Sequence, residues 1–144
     1  MDYIIDEKMI KKQLADMLTK TGFNVVAAEV EEGFKKPGIF LEVLPSHIER
    51  LCSGMEEVTD TVTIRYIPHK RTYEHALDVL RRIRKTVLYQ TIDVGRRRLT
   101  AEEMDITAED GYNLVVTFDL TYQQAAGFDT EEYDDMEELE LGGI

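Results

Sequence analysis

The 144-residue chain contains one cysteine, three prolines and no tryptophan. Cys52 alone excludes an internal disulfide framework. The absence of any C-x-x-C or Cys/His cluster removes the usual structural zinc motifs. No apolar run approaches the roughly 20 residues that a membrane-spanning helix needs. The N-terminal stretch MDYIIDEKMIKK lacks the basic start and long apolar segment of a secretory signal. A chain of this kind is expected to be made and used in a cytoplasm, or assembled there into something larger. The scattered glycines form no phosphate-binding fingerprint. The last 18 residues have no basic side chain at all, but eight acidic ones: Asp129, Glu131, Glu132, Asp134, Asp135, Glu137, Glu138 and Glu140.

What the chain does have is enough for one domain. It is 43% hydrophobic and 32% charged, with a net charge of −12. A chain of this length buries roughly 68% of its unfolded surface when it folds. Charge is distributed unevenly. Ten of the 17 lysines and arginines lie between Arg65 and Arg98, including Arg81, Arg82, Lys85 and the run Arg96, Arg97, Arg98. The expected division is a folded domain over residues 1–126 and an acidic tail over 127–144, flexible or docked on a partner.

Hydrophobic periodicity sets out the elements. Ile10, Leu14, Met17 and Leu18 recur at helical spacing between Ile4 and Lys20, and Gly22 is placed to stop that helix. Phe23–Glu29 reads as a strand. A basic turn with Gly33, Lys35, Lys36 and Pro37 follows, and Gly38–Leu44 is a second strand that Pro45 is expected to close. Val58–Ile67 alternates, with Val62, Ile64 and Tyr66 on one face. Thr72 caps a second helix whose apolar positions are Tyr73, Leu77, Leu80, Ile83 and Val87. Arg98–Thr107 and Tyr112–Tyr122 form a terminal hairpin around Glu109-Asp110-Gly111. The predicted order is α-β-β-β-α-β-β. The predicted fold is α+β and two-layered: a mainly antiparallel five-stranded sheet with two helices on one face, plus the acidic tail.

Catalytic chemistry finds little support. His69 and His75 straddle a loop–helix boundary, which is not ligand spacing on one face. Cys52 beside His47 has no oxyanion loop near it and reads better as packing. No cofactor, metal or catalytic residue is assigned. The arginine run Arg96–Arg98 admits two readings: contact with nucleic acid, or pairing with acids on the same or a neighbouring chain. The net negative charge opposes the first, because phosphate attraction dominates such binding.

One resemblance spans Met9 to Gln124. A short helix holds Met9, Ile10, Leu14 and Leu18. Glu29, Val30, Glu32, Gly33, Phe34, Lys35, Lys36, Pro37, Ile39 and Phe40 follow as strand, glycine, basic pair, proline and aromatic strand. Ile64-Arg65-Tyr66-Ile67-Pro68 and the hairpin from Asp110-Gly111-Tyr112 complete the pattern. In this the chain resembles the tail terminator, or tail completion, proteins of tailed bacteriophages, most nearly the small type of Gram-positive phages and prophages. It departs from them at Gly38 and in the acidic tail. The resemblance implies a structural protein of a virion tail or phage-tail-like particle. It implies a ring, typically of six subunits, that caps the tail tube, stops its growth and offers the head–tail joining surface. Implied partners are the tube protein, the head–tail connector and, in a contractile tail, the sheath protein, with no specific nucleic acid. Alternatives are another connector component or a small nucleic-acid-binding module using Arg96–Arg98. The residues expected at protein interfaces are Phe34, Lys35, Lys36 and Pro37 in the turn, Arg81, Arg82, Lys85 and Arg96–Arg98 in the basic centre, and Glu131, Glu132, Asp134 and Asp135 in the tail.

Overall fold

The structure, a computed structural model, describes residues 4–26 and 35–126. The helix α1 runs over Glu7–Lys20. Asp6 begins it by accepting a hydrogen bond from the Met9 amide, the N-cap arrangement that satisfies an otherwise orphaned donor. Ile10, Leu14 and Leu18 are the buried stripe. The chain leaves α1 through Gly22 at φ 101°, a conformation that favours glycine.

Two long strands follow, β1 (Gly38–Cys52) and β2 (Met55–Ile67), paired antiparallel. β1 does not end at Pro45 as the sequence predicts. It is the edge strand, so the missing proline N–H leaves no ladder bond broken, and a bulge between Pro45 and His47 absorbs the irregularity. Helix α2 (Tyr73–Val87) is capped by the Thr72 hydroxyl, which accepts from the His75 amide. Two short strands, β3 (Ile92–Val94) and β4 (Arg97–Leu99), form a separate hairpin. β5 (Asp105–Ala108) and β6 (Leu114–Ala125) then pair antiparallel. β6 lies between β2 and β5, giving the sheet order β1-β2-β6-β5.

The α+β reading holds, but the strands are distributed differently from the five-stranded prediction. The described sheet has four strands, and the predicted weak arm from Arg98 is split between β4 and β5. The predicted first strand survives as one bridge from Val25 to Ile39, and that bridge is parallel. The amide of Val26 donates to the Ile39 carbonyl and the amide of Ile39 to the Asn24 carbonyl, both at 2.8 Å. The segment before the basic turn and the strand after it are therefore not the two arms of an antiparallel hairpin. The rest of that predicted strand and the turn as far as Phe34 lie outside the described residues, as does the acidic tail.

The core forms where α1, α2 and the β3–β4 hairpin meet one sheet face. Ile39, Leu41 and Val43 of β1, Val62, Ile64 and Tyr66 of β2 and Leu114, Val116, Phe118 and Leu120 of β6 meet Leu14, Leu18, Val79, Ile83 and Ile92. In α2 the buried side is Ala76, Val79, Ile83, Thr86 and Val87. Tyr73 and Leu77, predicted as core, are exposed. Tyr112, predicted to open the last strand, lies outside it. It sits in the β5–β6 turn at φ 62°, after Gly111 at φ 74°.

Candidate functional site

Part of the predicted interface assembles around a basic cleft. Asn24 fixes its rim, with its carboxamide nitrogen 3.2 Å from the Lys35 carbonyl and 3.4 Å from that of Pro37. The Lys36–Pro37 peptide is cis. The cleft, about 480 Å³, is lined by Lys35, Lys36, Pro37, Tyr66, His75 and Arg82 among others. Arg82 is held from two sides. Its guanidinium lies 4.2 Å from the centre of the Phe23 ring, and it donates to the Thr21 carbonyl at 2.7 Å. This locks the end of α1 against α2 and leaves a fixed positive charge at the cleft wall. The Tyr66 hydroxyl pairs with His75 Nε2 at 2.9 Å. Burial pushes the Tyr66 hydroxyl pKa up, partly offset by the Arg82 charge.

The other predicted basic residues do not join that cleft. Arg81 and Lys85 are exposed, one turn apart on α2. The arginine run is divided by the β3–β4 hairpin. Arg96 lies in its turn, while Arg97 and Arg98 are successive residues of β4 and so face opposite ways. Arg97 donates to the Gln123 carbonyl and stands 5.9 Å from the Tyr122 ring centre. Arg98 pairs with Asp93 at 3.5 Å. The run is thus built largely into the hairpin and its seat on β6. Phe34 and the tail residues Glu131, Glu132, Asp134 and Asp135 lie outside the described residues.

A second polar constellation was not anticipated. Asp60 is fully buried on the core face of β2. Tyr122 of β6 donates to its Oδ2 at 2.7 Å, and the same hydroxyl is 3.1 Å from Glu7 Oε2 in the first turn of α1. Asp60 Oδ1 has no hydrogen-bond partner among the described residues. Burial raises the Asp60 pKa to about 7. The Tyr122 hydrogen bond pulls it down, and the nearby Glu7 carboxyl pushes it up again. The Tyr122 hydroxyl pKa is also raised, first by burial and then by Asp60. The signal was present in the alternation, since Val58, Asp60, Val62, Ile64 and Tyr66 share one face and only Asp60 is charged. Beside it, Gln124 exchanges two hydrogen bonds with the backbone of Ile5, both at 2.9 Å. Together these contacts fasten the start of α1 to the far end of β6.

Among the described residues, no group of three or more His, Cys, Asp or Glu side chains is placed to hold a metal ion. None of the described helices is long and apolar enough to cross a membrane. Cys52 is exposed at the β1–β2 turn. Comparison with known proteins supplies the context. The family profile described as "Phage tail terminator protein" matches residues 9–134. The match runs past Gln124, so the first part of the acidic segment falls within the family's length. No curated protein sequence matches the chain.

Proposed function

From the premise that this chain belongs to the phage tail terminator family, and is therefore a structural protein of virion tail assembly, we propose that it forms a closed ring capping the tail tube. The ring stops tube elongation and presents the surface that the head-side connector meets. Six subunits is the count that the family resemblance implies. Where the tail is contractile, the same layer also meets the sheath. The observation that carries this reading is the family match across most of the chain. The charge layout supports it. A ring needs a head-to-tail contact between two different surfaces of one subunit, and this subunit carries a basic centre and a wholly acidic end. The nucleic-acid reading gains nothing from β4, where neighbouring arginines point apart.

The acidic segment is assigned to grip a neighbouring subunit or another tail component through the basic centre. Deleting residues 127–144 removes eight negative charges. The expected outcome is a loss of assembled ring that deepens with added salt in the intact protein's own titration, because screened ion pairs weaken with ionic strength. Native mass spectrometry or size-exclusion chromatography with light scattering reads it. Identical assembly of the full and shortened chains across 50–500 mM salt (roughly the range over which the screening length halves or more) would overturn the role of the tail.

A further inference from the structure

The basic cleft beside α2 has an apolar floor as well as a charged rim. Phe23, Ile39 and Tyr66 are buried where they line it, and the Phe23 and Tyr66 rings meet edge to face with centres 6.1 Å apart. Lys35, Lys36 and Arg82 stand at the rim, all exposed. The Phe23 ring and the Thr21 carbonyl hold the Arg82 guanidinium in place. Among the described residues no carboxylate lines the cleft. Asp78, between His75 and Arg82 along α2, is outside the lining. At about 480 Å³ the space takes an aromatic side chain and a short length of its backbone. A site that is apolar below and cationic at the rim selects an aromatic side chain flanked by carboxylates.

Such a segment occurs in this chain. Residues 131–135 read Glu-Glu-Tyr-Asp-Asp, so Tyr133 has two acids on either side, and no other aromatic residue of the sequence is placed so. Its position along the chain decides whose cleft it can enter. The described residues end at Ala126, whose amide is bonded to the Gly54 carbonyl at the β1–β2 turn. The cleft is at the other end of the sheet, where Tyr66 pairs with Ile39. From Met55 to Tyr66 along β2 is about 36 Å at the usual rise of about 3.3 Å per residue. The chain from Ala126 to Tyr133 spans at most about 25 Å when fully extended. Tyr133 therefore falls short of its own subunit's cleft by about 10 Å.

We propose that residues 131–135 of one subunit dock in the basic cleft of the next copy of this chain. The Tyr133 ring lies on the apolar floor, and the flanking carboxylates meet Lys35, Lys36 and Arg82. The contact joins two different surfaces and so propagates from copy to copy, as a closed ring requires. The proposal rests on the ring reading given above and names the segment and the receptor that make its contact.

Photo-cross-linking of the full-length protein tests it. With a benzophenone side chain in place of Tyr133, irradiation of the assembled protein should join chains into dimers and larger species on a denaturing gel. Mass spectrometry should place the links in the cleft, at Pro37, Ile39, Tyr66 or His75. Links confined to single chains overturn the assignment to a neighbour, and links on other surfaces overturn the cleft. Rings seen by electron microscopy that give no link overturn the docking while leaving the ring itself standing. A chain that stays monomeric overturns both readings. Lys35→Glu/Lys36→Glu, at two exposed positions, should keep the melting temperature within a few degrees. It should lower the linked fraction roughly tenfold, because like charges then face each other. Adding Glu131→Lys/Glu132→Lys to that variant should restore linking. Glu29, Glu31 and Glu32 precede Lys35 in the sequence and are the competing anions. If they hold the two lysines instead, charge reversal leaves the linked fraction unchanged and the proposal fails.

Discussion

Asp60 is the residue at which burial and charge conflict most sharply. A carboxyl with no exposed surface, one short hydrogen bond and a second carboxyl nearby favours its neutral form, hence a pKa near 7 in place of the ordinary 3.8. The folded state therefore holds a proton that the unfolded chain releases between those two values. The contribution to stability is full below about pH 4 and is lost as pH rises through 7, at about 1.4 kcal/mol per unit of pKa separation as an upper bound. Asp60→Asn removes this dependence. Chemical denaturation from pH 4 to 8 should show the variant gaining on the wild type as pH rises. Parallel curves would mean that Asp60 is ionised throughout. Tyr122→Phe takes away the hydrogen bond that reaches Asp60 Oδ2 at 2.7 Å. It should destabilise the fold by roughly 1–3 kcal/mol at pH 8, where the carboxylate needs that donor most, and by less at pH 5.

At the scale of elements, α1 is held at both ends by polar contacts and along its length by Ile10, Leu14 and Leu18. Asp6→Ala should cost about 1 kcal/mol through loss of the cap on the Met9 amide, read as a lower urea midpoint with an unchanged slope. Both helices and the Thr72 cap of α2 were legible in the sequence, because N-cap chemistry and a helical stripe are local signals, whereas the Asp6 cap of α1 was not read. Strand β6 was legible for the same reason, its alternation from Leu114 to Tyr122 being long and regular. Nonlocal facts were not. Pro45 ends a strand only if its amide is needed, and that depends on β1 lying at the sheet edge. Tyr73 and Leu77 fall on a plausible apolar stripe of α2, yet the helix rolls to bury Ala76 and Val79 and leaves them out. Which side of a mixed helix is buried depends on what the sheet presents to it. The basic cleft was half legible. The sequence points to Lys35, Lys36, Pro37 and Arg82 as interface candidates, but their meeting requires the parallel bridge between Val25 and Ile39.

For the whole molecule, the sheet sets the layout. β2 and β6 run its full length, while helices cover only part of one face. The result is a subunit with exposed apolar side chains along the outer half of β1 (Leu44, Ile48 and Leu51) and at the start of α2 (Tyr73 and Leu77). The cleft beside α2 is ringed by two lysines, a clamped arginine and a tyrosine–histidine pair. In the proposed role, rings of this protein end tube growth. The most direct measurement is electron microscopy of tail tube protein polymerised with and without it, with tube lengths and ends counted. The expected result is shorter tubes, each bearing one added ring at a single end, with length falling as the protein is titrated in. Tubes of unchanged length with bare ends, at concentrations where the protein is assembled, would contradict it.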